Sequence, residues 1–201
     1  VTRVKICGLT RLEDAQAAIA AGADALGFIL WSGSKRAIGV NALRDLLRQL
    51  PPLVQTVGVF VNETPANIVA IRLATGLGTV QLHGDEKPEN FAGLAAPVIK
   101  AFRQPPSADE LAAWRVNGFL ADGAAAGSYG GTGHLASDDV VHSLAATGRL
   151  ILAGGLTPDN VAERIRTVRP YGVDVASGVE TAPGIKDADA ISQFVAAAKG
   201  A

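Results

Sequence analysis

With 201 residues the chain can form one large domain or two small ones and bury about 70% of the surface its unfolded form exposes, so it needs neither a disulfide nor a metal to fold. Its 18 basic and 19 acidic residues are spread without long runs, which excludes an electrostatic footprint for nucleic acid or an anionic membrane and leaves small neutral or anionic ligands open. A lone cysteine makes no internal bridge, and with no secretory signal or membrane-spanning apolar run the expected setting is cytoplasmic.

Taken in order, short β-branched runs predict strands at Arg3 to Cys7, Ala25 to Leu30, Thr56 to Val61, Thr79 to Leu82, Val98 to Phe102, Gly118 to Asp122, Leu150 to Ala153 and Gly172 to Ala176. Between and after them, Ala/Leu-rich stretches predict helices at Arg11 to Ala21, Val40 to Leu50, Pro65 to Thr75, Pro88 to Leu94, Ser107 to Trp114, Ser137 to Ala146, Pro158 to Val168 and Asp187 to Ala198. Thr10 is an expected N-cap for the first helix, and Thr64-Pro65 and Thr157-Pro158 place a cap before a proline at the first helical position. A βα unit repeated from end to end predicts an α/β fold with a parallel sheet and helices outside, and eight units closing on themselves make a (β/α)8 TIM barrel. At about 25 residues per unit the barrel is compact beside a typical ~250 residues. No boundary or linker interrupts it, so one domain over residues 1–201 is expected. The rival, an open doubly wound sheet, expects G-x-G-x-x-G after strand one, and Cys7-Gly8-Leu9-Thr10-Arg11-Leu12 does not supply it.

Chemistry in such barrels gathers at the carboxyl ends of the strands. Cys7 ends strand one on the face of Arg3 and Lys5, opposite Val4 and Ile6. Asp122 ends strand six; a carboxylate in a barrel mouth can be desolvated, its pKa raised, so that it holds a proton for delivery. Arg36, in the long loop after strand two, suits a substrate carboxylate through paired hydrogen bonds. His83 shares a face with Gln81 on strand four, and is a candidate either to contact the ligand or to orient a neighbour. Lys5 and Asp174 are both expected to face inward on strands that become neighbours, which makes them a buried ion pair, with Asp174 able to reach a ligand hydroxyl. Lys100, read as inward on strand five with Phe102, fits either a Schiff-base lysine or a structural pair. Strands seven and eight lead into Gly154-Gly155 and Ser177-Gly178, the two loops with which barrels bind phosphate. His134 and His142 lie in or after the strand-six loop, so no two-histidine metal site at strand ends is formed.

Five spaced motifs, Lys5-Ile6-Cys7-Gly8-Leu9-Thr10, Val80-Gln81-Leu82-His83-Gly84-Asp85-Glu86, Gly130-Gly131-Thr132-Gly133, Leu152-Ala153-Gly154-Gly155-Leu156 and Ser177-Gly178-Val179-Glu180 with Pro183-Gly184-Ile185-Lys186-Asp187, run through nearly the whole chain. Together they resemble the phosphoribosylanthranilate isomerases of tryptophan biosynthesis. The resemblance implies a cofactor-free barrel that converts N-(5-phosphoribosyl)anthranilate to 1-(2-carboxyphenylamino)-1-deoxyribulose 5-phosphate, with Cys7 as general base, Asp122 as general acid and Arg36 near the anthranilate carboxylate. It puts the phosphate on the loops holding Gly154, Gly155, Ser177 and Gly178. Two positions depart from the family: Lys35 stands where proline is common before the loop arginine, and His134 where lysine or another polar residue is usual.

The chemistry asks for one acid and one base on opposite sides of a sugar. The acid protonates the furanose oxygen, the ring opens to an iminium, and the base removes the C2 proton to give an enolamine that becomes the ketone. A thiol is only a few per cent thiolate at neutral pH, so nearby positive charge, with Lys5 as candidate, is expected to lower its pKa. The competing readings are the sibling isomerase of histidine biosynthesis, which carries aspartate in place of Cys7 and has two similar halves; a phosphate-binding lyase using Lys100 or Lys5; and a non-catalytic phosphosugar-binding barrel. The expected partner is one small phosphorylated substrate, with monomer and homodimer both open.

Overall fold

The computed structural model of the chain describes residues 1–123, 129 and 134–201. Eight parallel strands close a barrel in chain order: β1 (Arg3–Ile6), β2 (Ala25–Ile29), β3 (Gln55–Phe60), β4 (Thr79–Leu82), β5 (Val98–Phe102), β6 (Gly118–Ala121), β7 (Leu150–Leu152) and β8 (Gly172–Val175). The helices are α1 (Leu12–Ala20), α2 (Val40–Leu47), α3 (Pro65–Thr75), α4 (Pro88–Phe91), α5 (Ala108–Ala113), α6 (Asp138–Ala145), α7 (Val161–Val168) and α8 (Ala188–Lys199). After β8 the chain makes a single 3₁₀ turn at Ser177–Val179 and a small hairpin, β9 (Glu180–Ala182) with β10 (Ile185–Lys186). No described helix is long and apolar enough to cross a membrane.

The period of two in the strands sorts side chains into two layers. Val4, Ile6, Leu26, Phe28, Val80, Leu82, Val173 and Val175 belong to the large apolar cluster that they share with Leu43, Ile68, Val140, Ile191 and Phe194 of the helices. Phe28, Phe60 and Phe194 are essentially water-free, each worth about 1.5–3 kcal/mol of burial. A second, smaller cluster of Ala101, Leu120 and Ala153, flanked by Ile99 and Ile151, fills the interior beside β5, β6 and β7. The other side of the interior places the buried polar Lys5, Gln81 and Asp174 beside Val57 and Val59.

That division corrects one expectation. Ile99 and Ala101 take the inward positions of β5, so Lys100 and Phe102 point outward. Lys100 Nζ donates to the Gly84 carbonyl and to Glu86 Oε2, both at 2.7 Å, and lies 5.4 Å from the Trp114 ring centroid. It braces the turn after β4 from outside the barrel. A Schiff-base lyase built on Lys100 therefore has no structural basis here.

Four of the eight described helices start on a side-chain cap, and two of the expected caps are not formed. Thr64, Ser107, Ser137 and Asp187 cap α3, α5, α6 and α8 by accepting backbone N–H groups, contacts worth about 1 kcal/mol apiece. Thr10 does not cap α1; its hydroxyl donates to the Gly184 carbonyl at 2.7 Å, tying the loop after β1 to the β9–β10 turn. Thr157-Pro158 does not open α7 either. Asn160 occupies the cap position, accepting from the Thr157 N–H and donating to the Gly155 carbonyl, so these residues form a tight turn beneath the glycine pair. The Gly130-Gly131-Thr132-Gly133 motif lies outside the described residues.

Candidate active site

Lys5 on β1 and Asp174 on β8 are register partners on adjacent strands, and their side chains form a buried ion pair of 2.8 Å inside the barrel. Burial opposes the Lys5 charge, but Asp174 and then Cys7 outweigh it and hold the ammonium well above its ordinary value. Cys7 follows β1, its N–H donated to the Val175 carbonyl at 2.8 Å, its side chain 6% exposed. Gly27 of β2 leaves the room: a Cβ there would come 2.7 Å from the Cys7 sulfur and 2.9 Å from Lys5 Nζ. Lys5 does act to lower the thiol pKa, as expected, but the net direction is upward. Burial pushes Cys7 up and Asp174 adds to it, while Lys5 and Lys186 only partly offset them.

Asp122 follows β6, buried, with Oδ2 at 3.0 Å from His83 Nε2. The other ring nitrogen of His83 lies 2.9 Å from Gln81 Nε2. An amide nitrogen only donates, so His83 Nδ1 accepts and the ring proton on Nε2 is given to the carboxylate. Burial pushes Asp122 up, yet the hydrogen bond from His83, the Gly123 N–H and Arg103 together hold it below the usual carboxylate value. A raised pKa was expected from burial alone; the hydrogen-bonded histidine decides otherwise. Gln81 Oε1 is buried with no partner among the described residues.

The loops after β7 and β8 meet over the barrel. Gly154 (φ 78°) and Gly155 (φ 58°) both take left-handed backbone, and a Cβ on Gly154 would press 2.5 Å against Gly123 N and the His134 carbonyl oxygen. A Cβ on Gly178 would run into the Leu156 carbonyl. Only glycine lets these loops close on each other and bring main chain to the cleft. Arg36 comes from the loop after β2, next to Lys35 and without a proline to stiffen it. Ser34 does the fixing instead: its hydroxyl accepts from Arg36 N at 3.1 Å and its carbonyl from Ala37 N at 3.2 Å. The Arg36 guanidinium rests on Glu180 of β9.

One cleft of about 470 Å³ takes in Cys7, Asp122, Arg36, His83 and Asp174 together with Gly154, Gly155, Ser177 and Gly178, whereas Lys5 and Lys100 do not line it. Among the other side chains lining it, Gln81, Trp31 and Tyr129 were not assigned a role. The last two pack edge to face, centroids 5.4 Å apart, and Tyr129 donates its hydroxyl to Asp85 at 2.6 Å. Aromatics on two separate loops carry no local spacing signal, so only folding brings them together. Gln81 was visible as the residue two before His83 on one strand face.

A family model described as N-(5'phosphoribosyl)anthranilate (PRA) isomerase matches residues 4–197. The chain belongs to the phosphoribosylanthranilate isomerase family. The phosphoribosylanthranilate isomerase of Pelobacter propionicus is 49% identical over 199 residues, 98% of this chain and 95% of that relative. The crystal structure of the Thermus thermophilus phosphoribosylanthranilate isomerase superposes with a TM-score of 0.89 at 42% identity, covering 99% of each chain. A further phosphoribosylanthranilate isomerase, solved in complex with reduced 1-(o-carboxyphenylamino)-1-deoxyribulose 5-phosphate, superposes with a TM-score of 0.83 at 38% identity over the whole of both chains.

Proposed function

We infer that this chain isomerises N-(5'-phosphoribosyl)anthranilate to 1-(2-carboxyphenylamino)-1-deoxyribulose 5-phosphate in tryptophan biosynthesis, with Asp122 as general acid and Cys7 as general base. The observation that carries the assignment of roles is the cleft itself. A thiol on the first strand end and a carboxyl group on the sixth, nearly across the barrel, line one pocket with the paired glycine loops and a guanidinium.

In this reading the substrate phosphate sits on main-chain N–H groups of Gly154, Gly155, Ser177 and Gly178, and Arg36 takes the anthranilate carboxylate. Asp122 gives its proton to the furanose oxygen as the C1–O bond breaks, leaving an iminium. Cys7 thiolate then removes the C2 proton, the electron pair moves into the C1–C2 bond, and the enolamine tautomerises to the ketone. His83 orients the Asp122 carboxyl, and Asp174 holds Lys5 beneath Cys7 while reaching a sugar hydroxyl. The resting forms, thiol and carboxylate, are the reverse of those the reaction uses, but the two pairs carry the same number of protons. The productive pair therefore forms by moving one proton from sulfur to carboxylate, without net uptake. The same reading makes residues 1–201 one barrel domain in the cytoplasm, acting on a small phosphorylated substrate without a cofactor, as monomer or homodimer.

The test is a fluorescence assay of phosphoribosylanthranilate consumption by wild type, Cys7→Ser, Cys7→Ala and Asp122→Ala. Turnover is expected to fall by about 10²- to 10⁴-fold in each variant, with the fold and the affinity for inorganic phosphate kept. Variants that turn over like wild type would refute the assigned roles, and wild type acting on the histidine-pathway phosphoribosyl substrate instead would refute the substrate.

A further inference from the structure

Arg36 is the proposed anchor for the substrate's aryl carboxylate, yet in the folded chain its guanidinium is already engaged. Glu180 Oε1 and Oε2 accept from Arg36 Nε at 2.9 and 3.0 Å, and Oε2 accepts from Nη2 at 2.7 Å. Glu180 is itself held hard. Its Oε1 also accepts from Lys186 Nζ at 2.8 Å and from the Gly184 N–H at 3.3 Å, while Lys186 Nζ reaches the Ala176 carbonyl at 3.0 Å. The side chains of Glu180 and Lys186 are 4% and 0% exposed. On the other side, the Arg36 stem lies against Gly8, the residue after Cys7, where the backbone is left-handed (φ 73°) and a Cβ would come within 2.7 Å of Arg36 Cδ.

This leaves a guanidinium fixed by its Nε–Nη2 edge, with the Nη1–Nη2 edge given no partner among the described residues and the side chain lining the cleft. That second edge is the planar fork that matches a carboxylate. Arg36, Lys186 and Glu180 sum to one positive charge, which one incoming carboxylate would balance. An arginine already immobilised does not have to lose its rotamer freedom when the substrate arrives.

We propose that Glu180 is a positioning residue that selects the carboxylate-bearing substrate, by clamping one edge of Arg36 so that the other is presented to the arylamine's carboxylate. The proposal rests on the reading of Arg36 as carboxylate anchor. It gives a role to the acidic residue that ends Ser177-Gly178-Val179-Glu180 beside the phosphate loop: the two ends of the substrate are gripped from one short segment.

The experiment compares steady-state kinetics on N-(5'-phosphoribosyl)anthranilate and on N-(5'-phosphoribosyl)aniline, which lacks the carboxylate. Glu180→Gln is expected to raise KM for the anthranilate substrate about tenfold or more, to leave kcat within about twofold, and to leave kcat/KM for the aniline substrate within about twofold. In an Arg36→Ala background the same change should add nothing, because both act through one contact. Should Glu180→Gln not fold by circular dichroism, Glu180→Asp carries the test: it keeps the charge, shortens the reach, and is expected to give a smaller KM rise confined to the anthranilate substrate. Equal losses on both substrates, or losses that add fully to those of Arg36→Ala, overturn the proposal. If Arg36→Ala itself fails to distinguish the substrates, the anchor reading falls; if it distinguishes them and the Glu180 variants do not, only the present inference falls.

Discussion

Two side chains end their strands within one cleft, and burial acts on them in the same direction while their neighbours do not. Cys7 has Asp174 beside it and stays a thiol; Asp122 has the His83 N–H and stays a carboxylate. Because the active and resting pairs hold equal numbers of protons, the rate should not follow either group through neutral pH. The profile of kcat/KM is expected to be flat across the neutral range, with its acid limb below about 4 and its alkaline limb above about 8.5, the ordinary carboxylate and thiol values. His83→Ala, which removes the donor that holds the carboxylate down, should move the acid limb upward. A limb centred near pH 7 in the wild-type profile would refute the assignment of resting states.

At the scale of elements, the proposed phosphate grip depends on the contact between the loop after β7 and the 3₁₀ turn after β8. That contact is main chain against main chain, so a single methyl group is enough to separate the loops. Gly178→Ala drives a Cβ into the Leu156 carbonyl and is expected to lower kcat/KM by about 10²-fold, the cost of a displacement on the order of 1 Å, and to weaken competitive inhibition by inorganic phosphate in parallel. Gly93→Ala, where nothing lies within 4 Å of the added Cβ, should leave both unchanged. The β9–β10 hairpin is the other working element. It was expected only as a stretch of the family motif, and it emerges as the support of Arg36, tied back to the first loop through Thr10 and Gly184.

Over the whole molecule, two buried carboxylates at the mouth of the barrel link folding to acid. Asp122 and Glu180 are both held below their ordinary values in the folded chain, Asp122 by His83 and Glu180 by Arg36 and Lys186, against the opposing effect of burial. A depressed folded pKa means the unfolded chain binds more protons. The stabilisation is thus complete above the unfolded value near 4 and is lost as pH falls through that value toward the folded ones. The melting temperature should hold steady from neutral pH to about 5 and drop below about 4. Asp122→Asn should flatten that drop, and a melting temperature that rises on acidification would contradict the ion pairs described.

How much of this was legible in the sequence differs by kind of feature. Eight alternations of β-branched and helical segments set the barrel, because strand and helix periods are local and because such units have few ways to close. The strand-end residues and the glycine pairs were readable for the same reason: a period of two and a loop position locate them without knowledge of any partner. Lys100 shows where this stops, since which face of β5 is inward depends on the closed barrel and the packing of Ile99 and Ala101 against Leu120. The protonation of Cys7 and Asp122, the edge-to-face pair of Trp31 and Tyr129, and the grip of Glu180 on Arg36 across 144 positions were decided only by the tertiary structure. Electrostatic shifts and long-range hydrogen bonds depend on distances in space, which a linear pattern does not encode.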